Sequence, residues 1–223
     1  MTTILSAKAV HKTYHRDGAP DVEALRGVDL VVDAGEFVAV TGPSGCGKST
    51  LLTVLSGLDL PTAGSISIVG QDITTSSEQE LAALRNREIG FVFQSFHLVA
   101  SMTALENVAF PAELAGYDDA VKRANSLLDQ VGLSHRRDSF PHQLSGGEKQ
   151  RVALCRSLVN QAKLIFADEP TGNLDTTNGN QVLDLLISLQ KDQGSSLILV
   201  SHSADVVAKA DRVVEMLDGK VVE

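Results

Sequence analysis

The chain has 223 residues, of which 43% are hydrophobic and 21% charged, and its formal net charge is −9. This length suits one substantial α/β domain and would be tight for two. The acidic balance argues against non-specific nucleic-acid binding, which depends on Lys and Arg neutralising phosphates, so we expect no nucleic acid among the partners. The two cysteines, Cys46 and Cys155, have neither the number nor the spacing of a disulfide framework or a zinc site, which fits a reduced cytosolic compartment.

The sequence contains no apolar segment that we expect to enter a membrane. No uninterrupted apolar run reaches the roughly 18 residues that a membrane span needs. The first residues lack the apolar core of a signal peptide. If the protein works at a membrane, we expect another chain to provide the membrane part.

The first part of the chain predicts strands, one glycine-rich loop and a helix. Strands are expected over residues 4–14 and 24–32, with alternation that suits a sheet solvated on one face, and a buried strand over 37–40. The helix after the loop is expected to bury one stripe, Leu51, Leu52, Val54, Leu55 and Leu58. Strands at 65–70 and 89–93 flank a polar helix at 79–87.

The rest of the chain first turns helical and then returns to strands. Residues 95–158 show helical periods at 104–110, 120–131 and 148–159, without a convincing strand. Strands are expected at 164–167 and 197–200, separated by an amphipathic helix with Val182, Leu185, Leu186 and Leu189 inward. Asp218-Gly219 between two β runs is a hairpin signal. We therefore expect one α/β domain over 1–223, with a core from 1–94 and 159–223 and a helical insertion at 95–158.

The glycine-rich loop has the pattern G-x-x-x-x-G-K-[ST] between a strand and a helix, the context in which this pattern binds phosphates. Its residues are Gly42, Pro43, Ser44, Gly45, Cys46, Gly47, Lys48, Ser49 and Thr50. Glycines let the backbone curl so that successive N–H groups converge on the α- and β-phosphates, and the helix N-terminus adds unpaired amides. Lys48 supplies a charge for the β- and γ-phosphates, and the Ser49 hydroxyl suits Mg²⁺. An ordinary glycine turn is the alternative interpretation.

Two carboxylates, Asp168 and Glu169, follow the apolar run at 164–167. Ligands of parallel sheets bind outside the carboxyl ends of the strands. We expect Asp168 to help hold Mg²⁺ and Glu169 to orient and deprotonate the attacking water, a role worth about 10²–10⁴ in rate. The alternative is a solvated strand end.

Gln94 and His202 also follow apolar strands. Each side chain could reach a γ-phosphate or its attacking water by a hydrogen bond, so we count both among the candidates for catalysis, with Glu169 and Lys48. A single Gln or His at a strand end is usually a loop residue, but here two occur in one chain. For the metal ion the candidate ligands are Ser49, Gln94 and Asp168.

Residues 144–151, LSGGEKQR, predict a second helix N-terminus able to bind an anion. Ser145 is a good N-cap, the glycines expose amides, and Glu148 begins a helix. A capped helix start is the simpler explanation. A second phosphate-binding element is superfluous beside a complete phosphate loop, however, unless it serves the nucleotide of another molecule. This favours a dimer.

With these motifs in this order, the sequence resembles the ATP-binding-cassette (ABC) ATPases from Tyr14 to its end. The resemblance implies a P-loop NTPase fold with a RecA-like core, an antiparallel β subdomain and an inserted α-helical subdomain. It implies that Tyr14 stacks on adenine, and that two copies pair head to tail with each ATP between one phosphate loop and the partner's signature. The residues concerned are Ser145, Gly146 and Gly147, with Asp175 in a loop crossing the interface.

PTAG at 61–64, IGFVFQSFHLV at 89–99, TALENV at 103–108 and ADEPTGNLD at 167–175 are most similar to one branch of this family. The branch serves macrolide export, lipoprotein release, haem and antimicrobial-peptide export, and cell division. It implies an ATPase on the cytoplasmic face of the membrane that drives a permease. The alternative is a regulatory cassette that signals to cell-wall enzymes without transport.

The expected permease contact is the segment from Phe93 to Phe110, where Phe96, Leu98 and Met102 would form a groove for a cytoplasmic helix. The alternative is that these side chains fill the core of the helical insertion. An importer cassette is less expected, because little chain follows the Asp218-Gly219 hairpin. A DNA-associated cassette is disfavoured by the acidic balance.

Overall fold

The computed structural model describes residues 2–16 and 18–222. Its elements, in chain order, are β1 (Thr3–Arg16), β2 (Ala19–Asp33), β3 (Phe37–Thr41), α1 (Lys48–Leu55), β4 (Ala63–Ile68), β5 (Gln71–Asp72), α2 (Glu78–Glu88), β6 (Ile89–Phe93), α3 (Ala104–Leu114), α4 (Ala120–Gln130), α5 (Gly146–Leu158), β7 (Leu164–Asp168), α6 (Thr176–Gln193), β8 (Ser196–Val200), α7 (Ala204–Lys209), β9 (Arg212–Leu217) and β10 (Lys220–Val222). Short 3₁₀ turns lie at Ser134–Arg136 and Pro141–Gln143. The chain forms two compact units, residues 1–85 with 196–223, and residues 86–195.

The first unit contains an antiparallel sheet with the order β2-β1-β4-β5. β1 and β2 pair with Ala7 opposite Leu30 and Tyr14 opposite Val22. The second half of β2 alternates between buried and exposed residues, as a sheet covered on one face requires. The alternation expected from the sequence is confirmed for this part of β2 but does not hold along β1, and both strands run further than predicted.

The first unit also contains the parallel strands β9, β3 and β8, in that order, with β10 antiparallel to β9. β3 is buried from Phe37 to Val40, which explains its continuous apolar sequence. The hairpin expected at Asp218-Gly219 joins β9 to β10, and both turn residues have positive φ, 48° and 79°. β3 leads directly into the glycine-rich loop and α1.

One expectation about α1 is wrong. The helix ends at Leu55, so Leu58 lies beyond it and is 47% exposed rather than part of the buried stripe. Gly57 adopts φ 67°, and the N–H of Leu58 donates to the carbonyl of Thr53 at 3.1 Å. A glycine in the left-handed conformation terminates the helix in this way and turns the following residue away from its buried stripe.

The second unit pairs β6 and β7 in parallel, with Phe93 opposite Asp168. The predicted helices at 104–110, 120–131 and 148–159 correspond to α3, α4 and α5. In β6, a Cβ on Gly90 would lie 2.4 Å from the carbonyl oxygen of Ser157, so α5 packs on the strand backbone. α6 buries Val182, Leu186 and Leu189 as expected, whereas Leu185 is only half-buried and Leu183 is buried in addition. The unit includes all of the proposed helical insertion, 95–158.

Candidate functional site

The glycine-rich loop is shaped by backbone conformations that only glycine adopts without strain. Gly42, Gly45 and Gly47 have φ values of 137°, 80° and 106°. A Cβ on Gly42 would lie 2.2 Å from the carbonyl oxygen of Met216, and one on Gly47 would lie 2.6 Å from that of Ala24. A Cβ on Gly45 would meet nothing within 4 Å, so the loop faces open space there. The close contacts at Gly42 and Gly47 therefore fix the backbone of the loop, and the loop is open at Gly45.

Lys48 places its ammonium group inside this loop. The side chain is buried, with 6% exposure, and Nζ donates to the carbonyl oxygens of Gly42 at 2.9 Å and Pro43 at 2.8 Å. α1 begins at Lys48 and has no side-chain cap, so its first-turn amides have no partner within the helix. Amides and an ammonium are the groups that bind a phosphate anion. The loop therefore fits the phosphates of a nucleotide.

Two further sequence candidates lie in the same unit. Tyr14, at the end of β1, is half-exposed, and the ammonium of Lys12 lies 5.0 Å from its ring centroid. Asp59 pairs with Lys12 at 2.7 Å and so fixes the ammonium beside the ring. His202 is exposed and follows β8 after the buried Ser201. His202 therefore lies at a strand end, as the sequence predicted.

The two carboxylates lie at the carboxyl end of β7 in the second unit. Asp168 is the last residue of the strand, and Glu169 follows with φ 44°. The carbonyl of Glu169 accepts the N–H of Gly172 at 3.0 Å, which closes a turn. A left-handed non-glycine residue costs about 1–2 kcal/mol, and such strain is concentrated at functional sites. Both carboxylates are half-buried.

Gln94, directly after β6, is joined to the loop after β7. Its Nε2 donates to Oδ1 of Asn173 at 3.1 Å, and Nδ2 of Asn173 donates to the carbonyl of Gln94 at 3.0 Å. A Cβ on Gly172 would lie 2.8 Å from Nε2 of Gln94, so glycine makes room for this amide. Because Nε2 donates its hydrogen bond to Asn173, the amide oxygen, Oε1, is the atom of this side chain that could bind a metal.

The LSGGEKQR motif forms a capped helix start, as predicted, although α5 begins at Gly146 rather than Glu148. Ser145 Oγ accepts the N–H of Glu148 at 3.3 Å, and the Glu148 carboxylate accepts the N–H of Ser145 at 2.8 Å. The Ser145 N–H bond lowers the pKa of Glu148, and Arg136, 3.0 Å from the carboxylate, acts in the same direction. Ser145 is exposed at this terminus.

Asp175 is the N-cap of α6, a role that the sequence reasoning missed. Its carboxylate accepts the side-chain and backbone N–H groups of Asn178, at 2.6 and 3.1 Å. The first of these bonds, then the second, lowers the pKa of Asp175. A Cβ on Gly147 would lie 3.4 Å from Oδ1 of Asn178, so the Asp175 cap and the start of α5 are neighbours in this unit.

The segment proposed for permease contact is partly exposed. Phe96, Leu98 and Met102 are all half-buried. They are therefore neither completely buried, as core residues would be, nor completely exposed. Its backbone is fixed by the buried Asn107, whose Oδ1 accepts the N–H of Val99 at 2.8 Å and whose Nδ2 lies within 3.1 Å of the carbonyls of residues 99, 102 and 103. Nothing in the local sequence indicates this contact.

The candidate metal ligands are a hydroxyl in the first unit, from Ser49, and an amide and a carboxylate in the second, from Gln94 and Asp168. All three supply oxygen, which suits Mg²⁺. Within residues 2–16 and 18–222, no group of three or more His, Cys, Asp or Glu could hold a metal ion. Mg²⁺ typically uses one or two protein ligands with substrate phosphates, and each unit taken by itself supplies oxygen donors of this kind.

Comparison with known proteins defines the class, that of the P-loop ATPases with an ABC signature. A family model described as ABC transporter matches residues 25–172, and the chain belongs to this family. It is 46% identical over 220 residues to the lipoprotein-releasing system ATP-binding protein LolD of Legionella pneumophila, with 98% of this chain and 96% of that one covered. It is 47% identical over 215 residues to the macrolide export ATP-binding/permease protein MacB of Chlorobaculum tepidum, covering 96% of this chain but 33% of MacB.

A solved structure is also similar over nearly the whole chain. It is a dimeric ATP-binding cassette in a post-hydrolysis state bound to ADP and Pi, with a TM-score of 0.90, 37% identity, and coverage of 98% of this chain and 97% of that one. The family, the P-loop NTPase fold and the ATPase activity expected from the sequence are thereby confirmed. No helix in the described part of the chain is long and apolar enough to cross a membrane.

Proposed function

We propose that this chain is the ATPase subunit that drives a membrane permease in the export or extraction of a substrate. The observation that carries the proposal is the second anion-binding helix start, Ser145 to Gly147, in a chain that already has a complete phosphate loop. LolD and MacB, by their names, serve lipoprotein release and macrolide export. The MacB match supports a permease partner, because its name joins an ATP-binding part to a permease.

The first half of each ATP site is the phosphate loop. Residues 42–50 would bind the phosphates through their amides, and Lys48 would exchange its two carbonyl partners for phosphate oxygens. Tyr14 would stack on adenine with the ring face opposite to Lys12. Ser49, Gln94 and Asp168 would hold Mg²⁺, which supplies neutralisation of charge on the β- and γ-phosphates when bound.

The second half would come from another copy of the chain. The amides of Gly146 and Gly147 and the hydroxyl of Ser145 would bind the γ-phosphate of the partner's ATP, with Asp175 near the interface. The dimeric solved relative supports this pairing. Hydrogen bonds to charged groups contribute roughly 1.5–3 kcal/mol each, so ATP would close the dimer. Loss of the γ-phosphate would remove the shared anion and allow opening.

The chemical step would use Glu169 as the base. Its carboxylate would take a proton from the water that attacks the γ-phosphate, and its constrained left-handed backbone would limit the directions available to the side chain. Gln94 and His202 would hydrogen-bond the γ-phosphate or the attacking water. Lys48 would stabilise the charge that develops on the phosphate oxygens.

The permease would contact the segment from Phe93 to Phe110, and the chain would then lie on the cytoplasmic face of the membrane. Partial exposure of Phe96, Leu98 and Met102 supports this, since a cytoplasmic helix of the permease would complete their burial. The backbone here is held by Asn107 and needs no rearrangement to present them.

The proposal is tested with Leu98→Asp in the host cell. We expect membrane association of the tagged chain and transport-coupled ATPase activity to fall, while basal ATPase activity of the purified chain is retained. Leu114→Asp is the matched control, because Leu114 lies in the same unit outside the segment and is 64% exposed. Membrane association of Leu98→Asp equal to wild type would reject this contact, and absence of Mg²⁺-dependent ATP hydrolysis in wild type would reject the function.

A further inference from the structure

The turn that follows Gln94 contains two consecutive residues in the left-handed conformation. Phe96 has φ 57° and His97 has φ 49°. Neither is Gly or Asn, the residues that adopt this conformation most readily, so the backbone is strained at both positions. Such a turn persists only if contacts from its surroundings maintain it.

Arg156 supplies those contacts from α5. Its Nη1 donates to the carbonyl of His97 at 2.6 Å, and its Nη2 donates to the carbonyl of Phe96 at 2.8 Å. The planar guanidinium thereby binds both left-handed residues at once, a geometry that a lysine ammonium does not reproduce. Burial lowers the pKa of Arg156. The guanidinium charge of Arg156 is thus directed at the carbonyl groups of this turn.

The same helix also holds the main chain before Gln94. Nε2 of the buried Gln150 donates to the carbonyl of Phe93 at 3.3 Å. α5 therefore contacts the backbone on both sides of Gln94, and the first turn of α5 carries Ser145 and the signature glycines. The direction in which Gln94 leaves β6 is fixed by the helix that begins with the signature.

We propose that Arg156 is a positioning residue for ATP hydrolysis, holding the left-handed turn at Phe96 and His97 and through it the direction of Gln94. The proposal rests on the function proposed for Gln94. The phosphate loop belongs to the other unit, and the Arg156 guanidinium donates to the turn after Gln94. Loss of Arg156 is therefore expected to lower kcat with little change in the affinity for ATP.

The first test compares Arg156→Ala and Arg156→Lys with wild type, with Arg123→Ala as the matched control. Arg123 lies in the same unit and pairs with Asp119 at 2.7 Å on the surface of α4. Misplacement of a group in a reacting site costs up to about 100-fold in rate, so we expect kcat to fall about 10- to 100-fold in Arg156→Ala and less in Arg156→Lys. KM for ATP should change less than about twofold. Wild-type kcat in Arg156→Ala would overturn the proposal.

The second test separates positioning from general stability. His97→Gly relieves the left-handed strain, so in the Arg156→Ala background it should restore part of kcat, which a loss of packing alone would not allow. With Arg156 intact, His97→Asn should keep kcat and His97→Val should lower it. Equal kcat in these two variants would overturn the proposal, and this comparison does not require Arg156→Ala to fold.

The third test separates this inference from the role of Gln94. In a Gln94→Ala background, Arg156→Ala should cause no further loss of kcat, because both act through one side chain. If the double variant instead loses kcat by the product of the two single losses, the inference is overturned, while Gln94 remains a functional residue. If Gln94→Ala itself retains wild-type kcat, the proposed role of Gln94 is rejected, and the inference with it.

Discussion

Replacing Lys48 by Ala removes the one ammonium inside the phosphate loop. Nζ donates to the carbonyls of Gly42 and Pro43, and the side chain is 6% exposed. In the proposed complex this group bonds phosphate oxygens, and one hydrogen bond to a charged group contributes roughly 1.5–3 kcal/mol. Since about 1.4 kcal/mol is tenfold in affinity, we expect ATP binding to weaken about 10- to 150-fold.

The assay is isothermal titration with ATP, supported by thermal unfolding with and without nucleotide. At 100 times Kd, ATP stabilises the wild type by about 2.7 kcal/mol, and a tenfold weaker variant gains about 1.4 kcal/mol at the same concentration. Lys8→Ala is the control, because Lys8 is an exposed lysine on β1 of the same unit. An affinity of Lys48→Ala within twofold of wild type would refute the phosphate-loop assignment.

Gly90, Glu148 and Tyr14 each take part in an interaction that a substitution can test. Gly90→Ala should destabilise the chain by about 1–3 kcal/mol and lower Tm by several degrees, because its Cβ would lie 2.4 Å from the carbonyl oxygen of Ser157; an unchanged Tm would mean that α5 does not pack this closely on β6. The Ser145 bond holds the pKa of Glu148 below its ordinary value of 4.5, so the bond stabilises the fold above that pH, and this stability is lost as pH falls through the lowered pKa. We therefore expect the free energy of unfolding, measured with denaturant, to fall less between pH 7 and pH 4 in Glu148→Gln than in wild type. Equal decreases in the two proteins would contradict this assignment. Tyr14→Ala should weaken ATP binding by about 1–3 kcal/mol, whereas Tyr14→Phe should bind ATP as the wild type does. Equal affinities of Tyr14→Ala and wild type in a fluorescent-nucleotide titration would exclude stacking.

The elements that bear the site were predictable because local sequence determines them. A buried strand, a glycine turn and a helix start identify the phosphate loop, and the ends of β6, β7 and β8 are marked by Gln94, Asp168 and His202. The capping box of α5 was visible as Ser145 followed by Glu148.

Contacts between distant segments were not predictable. The bonds from Arg156 to Phe96 and His97 join residues about 60 positions apart, and the amide pair of Gln94 with Asn173 spans 79 positions. From helical periodicity alone, Arg156 is an ordinary polar residue of α5, because the sequence around it does not show that the carbonyl groups of Phe96 and His97 lie beside it. The positive φ of Glu169 was equally hidden, because glutamate has no preference for that conformation.

In the proposed dimer each ATP is bound between two copies of the chain, and the mass of Glu169→Gln in solution is the sharpest test of this pairing. Removing the base should leave ATP binding intact and block hydrolysis, so the closed form should accumulate. Light scattering in Mg²⁺ and ATP should then give twice the chain mass of 23.7 kDa, and in ADP the mass of one chain. A single-chain mass in saturating ATP, with one nucleotide bound per chain, would show that ATP does not need a second copy and would exclude the dimer.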